Sequence, residues 1–294
     1  MRLSRSKEVN NGQELSARCW QRSHRKTGWW RAHRFLILRR LCQLTIIVLF
    51  MAGQTWGILQ GNLSSSMLLN TVPLSDPLIV LQSLATGHIP EFNAFLGVAI
   101  VLVFYAILAP RAFCAWVCPL NIVTDFAAWL RRKLNLKASY RWSPNIRYWL
   151  IPALMLGSAI SGSVLWTWLD PVAALHRGLV FGMGAGWVLI LLVFVLDLLL
   201  VEHGWCGHLC PLGATYSVIG SKSLMRVTAV RREDCTKCMD CFYVCPEPEI
   251  LRQPLKEGDR RVMDQTCMSC GRCLDVCPEK VFEFQNRLNV KNIE

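Results

Sequence analysis

No Lys or Arg falls between positions 41 and 109, although the 294-residue chain holds 32 of them against 20 Asp and Glu. A gap of that length is not the mark of a uniformly basic surface, and a basic balance alone is weak ground for a nucleic-acid partner. We therefore read the +12 charge as something other than nucleic-acid binding. The N-terminus is polar and basic for over thirty residues, with no short apolar segment ahead of a cleavage site, so no secretory signal is visible. Fourteen cysteines in a chain this long, without an export signal, do not suit a disulfide scaffold. There is no C-x-x-C-H, and so no attachment site for c-type haem. Charged residues are scarce, at 18%, and hydrophobic ones make up 53%; with a mean hydropathy of +0.31 this is too apolar for an ordinary water-soluble core.

What is present resolves by position. Residues 230–294 hold 11 Lys/Arg against 12 Asp/Glu, a net of −1, which leaves +13 for residues 1–229. Apolar runs at 38–58, 94–109, 148–168 and 179–201 approach the ~20 residues that cross a bilayer. The third and fourth contain the small-residue words GSAISGSV and FGMGAG, which favour close helix approach. By the positive-inside rule, the basic segments 1–40 and 110–147 are expected inside. Segments 59–93, without Lys or Arg, and 169–178, with Arg177 alone, are expected outside, the first as interfacial structure broken by Pro73, Pro77 and Pro90. The expected fold class is an integral membrane α-helical protein, four transmembrane helices in two repeated hairpins, followed by an α+β bacterial-type two-cluster ferredoxin domain. The expected placement is the bacterial inner membrane, multi-pass, with both termini and the ferredoxin domain cytoplasmic. Expected boundaries are a basic N-terminus 1–34, a membrane domain 35–202, a linker 203–229 and a ferredoxin domain 230–294. Trp29, Trp30, Trp56, Trp116, Trp149, Trp166, Trp168 and Trp205 fall at the predicted interfaces as an aromatic belt.

Twelve of the cysteines are patterned. Cys235, Cys238, Cys241 and Cys245-Pro246 spell C-x2-C-x2-C-x3-C-P, and Cys267, Cys270, Cys273 and Cys277-Pro278 repeat it 32 residues later. Three thiolates at this spacing wrap one face of a cubane, and the fourth reaches across to the neighbouring one. That assigns Cys235, Cys238, Cys241 and Cys277 to one 4Fe–4S cluster, and Cys267, Cys270, Cys273 and Cys245 to a second. Two four-thiolate zinc sites are the alternative, against which the repeated x3 arm with its trailing proline speaks. FCAWVCPL at 113–120 and WCGHLCPL at 205–212 form a second repeat, with a period near 92 residues, which reads as an internal duplication. If the two halves pair, Cys114, Cys118, Cys206 and Cys210 could supply four thiolates for a further metal or cluster; a redox-active dithiol or a protein contact are the other readings. Cys19 and Cys42 stand alone, Cys42 as a small apolar residue.

A quinol releases two protons with its two electrons, so a site for one needs proton acceptors. Glu202 and His203 are the first candidates and Asp197, inside the fourth apolar run, the second; for Glu202 and His203 charged helix ends at an interface are an equal reading. Asp76, His88, Glu91, Asp170 and His176 are unranked candidates in the outer segments.

KTGWWRAHRFLILRRLCQ, GNLSSSMLLNTVPLSDPLIVLQSLATGH, FCAWVCPLN, VEHGWCGHLCPLGA and CMDCFYVCPEP together closely resemble the NapH family of membrane-bound ferredoxin-type proteins, over nearly the whole chain. MauN, NosR-like and oxidase-assembly membrane ferredoxins share the C-x3-C-P pairs; the N-terminal and first-loop words favour NapH. The resemblance implies an electron-transfer subunit of a quinol dehydrogenase. It would oxidise ubiquinol or menaquinol in the membrane and pass electrons, through a NapG-type iron–sulfur protein and a NapC-type membrane cytochrome c, toward periplasmic nitrate reductase. That acceptor lies across the membrane from the expected cytoplasmic clusters. The reading from a different class is a redox-active assembly or maturation factor for another metalloenzyme.

Overall fold

The computed structural model describes residues 28–53, 58–134, 136, 142–143, 145–182, 184, 186–256 and 259–288. Cys19, Trp56 and most of the basic N-terminus lie outside them. After a single turn at Trp29–Ala32 comes α1 (Arg34–Met51). Three short strands follow, β1 (Leu59–Asn62), β2 (Ser65–Leu68) and β3 (Val72–Ser75), paired antiparallel in sequence order with Leu59 opposite Leu68 and Met67 opposite Pro73. The segment expected as interfacial structure is thus a small sheet, and Pro73 sits on its third, edge strand, where a missing N–H is tolerated. Next are α2 (Pro77–Ala85), α3 (Phe92–Ile107), the short α4 (Ala112–Trp116), α5 (Leu120–Lys133), α6 (Ile146–Ser161), α7 (Pro171–Phe181) and α8 (Gly186–Val195). Two π-helical turns, Leu196–Leu200 and Trp205–Leu209, lead to α9 (Pro211–Ile219).

The expectation of four membrane-spanning helices is corrected here: among the described residues no helix is long and apolar enough to cross a membrane. A multi-pass inner-membrane placement, with both termini and the ferredoxin domain cytoplasmic, loses its basis with it. The reasons are local. Helix α1 has 18 residues but includes Arg34, Arg39 and Arg40. Helices α3 and α6 have 16 each, about 24 Å at 1.5 Å per residue against a hydrocarbon core of ~30 Å. Helix α6 also carries Pro152 inside and stops at Gly162 in a left-handed conformation (φ 64). The fourth run is divided between α7 and α8, where FGMGAG supplies poor helix formers. Apolar side chains nonetheless face outward, among them Val48, Val103, Phe104, Ile160, Val188 and Leu191.

The two halves share a core. Phe113 stacks on Tyr216 (4.9 Å, 17°), and Tyr105 meets Tyr216 edge-on at 4.9 Å. Leu78, Trp166, Val193 and Leu212 pack into the same cluster. The C-terminal part is built on β4 (Met225–Ala229) and β5 (Phe282–Asn286), antiparallel with Val227 opposite Phe284. Between them lie α10 (Asp240–Val244) and α11 (Arg272–Val276). Helix α1 is tied to this part at its first turn: the backbone N–H groups of Phe35 and Leu36 donate to the Asp275 carboxylate at 3.1 and 3.2 Å. A side chain from α11 thereby satisfies donors that a helix start leaves open.

Candidate iron–sulfur and redox site

The 32-residue cysteine repeat is also a backbone repeat. Lys237 and Met239 lie at φ 56 and 68; 32 residues on, Ser269 and Gly271 lie at φ 50 and 74. Left-handed residues at every second position turn the backbone sharply around Cys238 and Cys270, as in loops whose N–H groups form a concavity for an anionic group. Each loop runs into a short helix, α10 or α11, and each helix ends on an extended cysteine, Cys245 or Cys277, at φ −80.

These turns sort the eight thiols into two sets. Burial first, then the Cys277, Cys238 and Cys235 sulfurs, push the Cys241 thiol up to about 12. Burial first, then Cys270, Cys245 and Cys267, push Cys273 well up. The trailing cysteine of each motif therefore stands with the three leading cysteines of the other. Cys245, Cys267, Cys270 and Cys273 line one cavity together with Val227, Leu251 and Met268. Among the described residues no three His, Cys, Asp or Glu side chains are grouped to hold a single metal ion. Four cysteines around one cavity are the donor set that a 4Fe–4S cluster takes, and the second set fits it.

The two C-x3-C-P motifs also meet. Each follows an apolar helix, and each motif's proline stands at the start of the next helix, Pro119 before α5 and Pro211 at the first position of α9. Burial first, then Cys114 and Cys210, raise the Cys118 thiol well above its ordinary value. Cys206 is raised by burial first and then by Asp197, Cys210, Cys118 and Cys114. Cys210 Sγ accepts from Gly213 N at 3.4 Å, and the Cys206 thiol lies 3.9 Å from Thr124 Oγ1. Gln43, fully buried, donates from Nε2 to the Ala115 and Cys118 carbonyls at 3.1 Å each.

Buried charge surrounds both groups. Arg111, left-handed at φ 48, donates to the carbonyls of Thr266 (3.0 Å) and Cys206. Arg147 donates to Gly207 O at 2.7 Å and to Glu247 Oε1 at 3.2 Å, and Arg111 stands 3.6 Å from the same oxygen. Asp125 of α5 holds three arginines, Arg40 and Arg272 in hydrogen bonds and Arg39 at 3.9 Å. Burial works to raise the Asp125 carboxyl, but Arg272, His203, Arg39 and Arg40 together hold it down at about 2.

The acid–base candidates are placed as follows. Asp197 is fully buried in the first π-helical turn; its Oδ1 accepts from Trp205 N at 2.9 Å and its Oδ2 is buried without a hydrogen-bond partner. Glu202 ion-pairs with Arg132 at 3.3 Å, and burial raises its carboxyl above the ordinary range. His203, buried at φ 53, lies 3.5 Å from Arg272 Nη1; burial and Arg272 push it down to about 3, which keeps the ring neutral near pH 7. Asp76 and Asp170 cap helices, accepting from Leu78 N (2.8 Å) and Val172 N (2.9 Å). His176 packs edge-on against Phe50 at 4.7 Å.

Beside the second thiol set a cavity of about 880 Å³ opens between α1, α5, α10 and α11. Phe126, Trp129 and Tyr243 supply aromatic walls, and Arg39, Arg40, Asp125 and Arg272 a polar end. Val244 and Arg272, which line it, immediately precede Cys245 and Cys273. Sequence reasoning did not single out Arg111, Asp125, Arg147, Glu247 or Arg272. Arg111, Glu247 and Arg272 sit within three residues of a patterned cysteine, and that adjacency was the available signal.

Comparison with known proteins agrees with this chemistry. The family described as "4Fe-4S binding domain" matches twice, over residues 92–137 and 183–227, and that described as "4Fe-4S dicluster domain" matches residues 228–278. The chain is 53% identical over 273 residues to the ferredoxin-type protein NapH of Haemophilus influenzae, covering 91% of this chain and 95% of the relative. It is 53% identical over 232 residues to NapH of Escherichia coli, covering 78% and 81%. The methylamine utilization ferredoxin-type protein MauN of Paracoccus denitrificans is 43% identical over 277 residues, covering 93% and 97%. No solved structure matches.

Proposed function

Since the chain belongs to the family of NapH ferredoxin-type proteins, which makes it an iron–sulfur electron-transfer protein, we propose that it oxidises quinol and passes the electrons toward periplasmic nitrate reductase. Cys235, Cys238, Cys241 and Cys277 hold one 4Fe–4S cluster, and Cys267, Cys270, Cys273 and Cys245 the second. When bound, each cluster supplies a one-electron acceptor. The onward partners are a NapG-type iron–sulfur protein and a NapC-type cytochrome c. The domain boundaries we adopt are those at 34, 202 and 229.

The observation that carries the quinol reading is the cavity beside Cys245 and Cys273. Its volume, about 880 Å³, lies within the ~300–1,000 Å³ of small-molecule sites. Aromatic walls suit a flat ring, and the arginines around Asp125 supply charge-assisted donors for ring oxygens. Oxidation of one quinol to quinone releases two electrons, one to each cluster, and two protons. Glu202, paired with the cavity-lining Arg132, accepts the first proton and the second passes to water; the neutral, poorly basic His203 is not a base for this step.

The test is anaerobic mixing of the oxidised holoprotein with ubiquinol or menaquinol, followed by EPR of the clusters. Reduction on the turnover timescale, with Trp129→Ala raising KM several-fold at unchanged iron content, is the expected result. If no cluster is reduced by either quinol at a competent rate while dithionite reduces both, the quinol reading is wrong.

A further inference from the structure

We propose that Cys114 and Cys118 from the first repeat, with Cys206 and Cys210 from the second, form a single four-thiolate site for a third iron–sulfur cluster. The site goes beyond the quinol reading and does not depend on it.

Each region that matches a 4Fe-4S binding domain, 92–137 and 183–227, contains only two cysteines, whereas a cubane takes four. Neither repeat can complete a cluster, and the fold brings the two pairs together: Cys118 and Cys210 share one buried cluster with Cys114 against it, and Cys206 packs with Ala115, the residue after Cys114. Cys118, Cys206 and Cys210 are buried and Cys114 half-buried, so a cluster there would sit out of water.

The surrounding charge fits an anionic guest. Arg111 and Arg147 are both fully buried, and the one carboxylate between them is Glu247. Two buried guanidinium groups facing one carboxylate leave a positive charge uncompensated, which is costly in an interior. Nε of Arg111 and both Nε and Nη2 of Arg147 are buried without hydrogen-bond partners. Donors of this kind normally find acceptors. Four neutral thiols would leave them orphaned, while four thiolates on a cluster supply the missing negative charge. Arg111 also reaches the second pair directly, donating from Nη2 to the Cys206 carbonyl.

The site adjoins the second ferredoxin set. Trp116 Nε1 donates to Ser269 O at 3.1 Å, and Arg111 Nη1 to Thr266 O at 3.0 Å. Ala115, Cys206 and Met268 pack in one cluster against Cys270. A centre held there is a redox neighbour of the second cluster.

Iron, acid-labile sulfide and zinc per chain in the purified holoprotein test this directly. With four iron atoms in each cluster, about 12 Fe and no zinc are expected, falling to about 8 in the Cys206→Ser/Cys210→Ser and Cys114→Ser/Cys118→Ser variants, with the two ferredoxin EPR signals retained. About 8 Fe in the wild type, with or without one zinc, overturns the third cluster. So do pair variants that keep the wild-type iron content. If a pair variant does not fold, the wild-type count still decides, and because the count uses no quinol a failure of the quinol reading leaves it standing.

Discussion

Arg272, the residue before Cys273, is hydrogen-bonded to Asp125 of α5, 147 positions earlier in the chain. The same guanidinium lies close enough to feel the Cys270 and Cys245 sulfurs, so one buried cation serves both the cavity's acid and the second thiol set. Arg272→Met removes it. A unit charge ~7 Å away at an effective dielectric near 20 is worth roughly 2 kcal/mol, or on the order of 100 mV for a one-electron couple. The midpoint potential of the cluster held by Cys245, Cys267, Cys270 and Cys273 should fall by about that much, and the other cluster's should move less. An EPR-monitored redox titration reads both; equal shifts would show a general loosening instead of a local charge.

Proton release should carry the signature of Glu202. Burial raises its carboxyl, so it takes the ionised, proton-accepting form at a higher pH than an ordinary glutamate near ~4.3. Asp125, held at about 2, stays ionised throughout the working range and adds no inflection. Asp275, on the cavity wall, is raised by burial as well, so quinol-driven cluster reduction should rise with pH above the ordinary carboxylate range, and Glu202→Gln should lower the rate and remove the Glu202 part of that rise. A profile unchanged in the Gln variant would place the base elsewhere.

The start of α1 is fitted onto the second cysteine loop through Gly271. This residue sits at φ 74, and a Cβ there would lie 2.5 Å from Phe35 Cγ. Gly271→Ala adds both left-handed strain and a clash, roughly 2–4 kcal/mol together. A Phe35→Ala background removes the contacts with Cγ and Cδ1 but keeps Phe35 Cβ, 2.8 Å away, so the cost of Gly271→Ala should fall there without dropping to the ~1 kcal/mol of conformational strain alone. Denaturant melts of the four-member cycle check this; equal costs in both backgrounds would exclude the Phe35 ring as the cause.

Legibility followed the kind of signal each residue carried. The 4Fe–4S character could be read because cysteine spacing is local, and the 32-residue repeat reappears as matched φ values at Lys237/Ser269 and Met239/Gly271. The meeting of the two C-x3-C-P pairs followed from their duplication. The arginines could not be read in this way. Arg39, Arg111 and Arg147 stand in segments whose basic charge pointed to sidedness, yet they are among the largest fully buried side chains, pairing with Asp125 and Glu247 from distant parts of the chain. Charge in one dimension does not show whether a guanidinium meets solvent or a carboxylate far away in the sequence. Apolar run length misled for a similar reason: counting residues passed over Arg39 and Arg40 in the first run and the division of the fourth between α7 and α8.

Gln43 provides the sharpest test of how the first C-x3-C-P loop is held. It is fully buried in α1, accepts from Arg40 Nη1 at 2.7 Å on Oε1, and donates through Nε2 to the Ala115 and Cys118 carbonyls. Those carbonyls lie in the last turn of α4 and just after it, in the segment that presents Cys114 and Cys118. Gln43→Leu keeps similar bulk but removes the side-chain donor that the two carbonyls have among the described residues. The Cys118 carbonyl keeps the Asn121 N–H at 3.3 Å, which leaves the Ala115 carbonyl stranded; a stranded buried acceptor costs about 1–3 kcal/mol, and a loss of that order in thermal or denaturant stability is expected. Gln43→Glu should cost at least as much, because it retains the partner for Arg40 while turning a carboxylate oxygen toward the two carbonyls. If this turn fixes the first pair of thiols, iron held at the third site should become chelator-labile in both variants before iron in the two ferredoxin clusters does. Stability within about 0.5 kcal/mol of wild type in both would show that the turn holds its shape without Gln43.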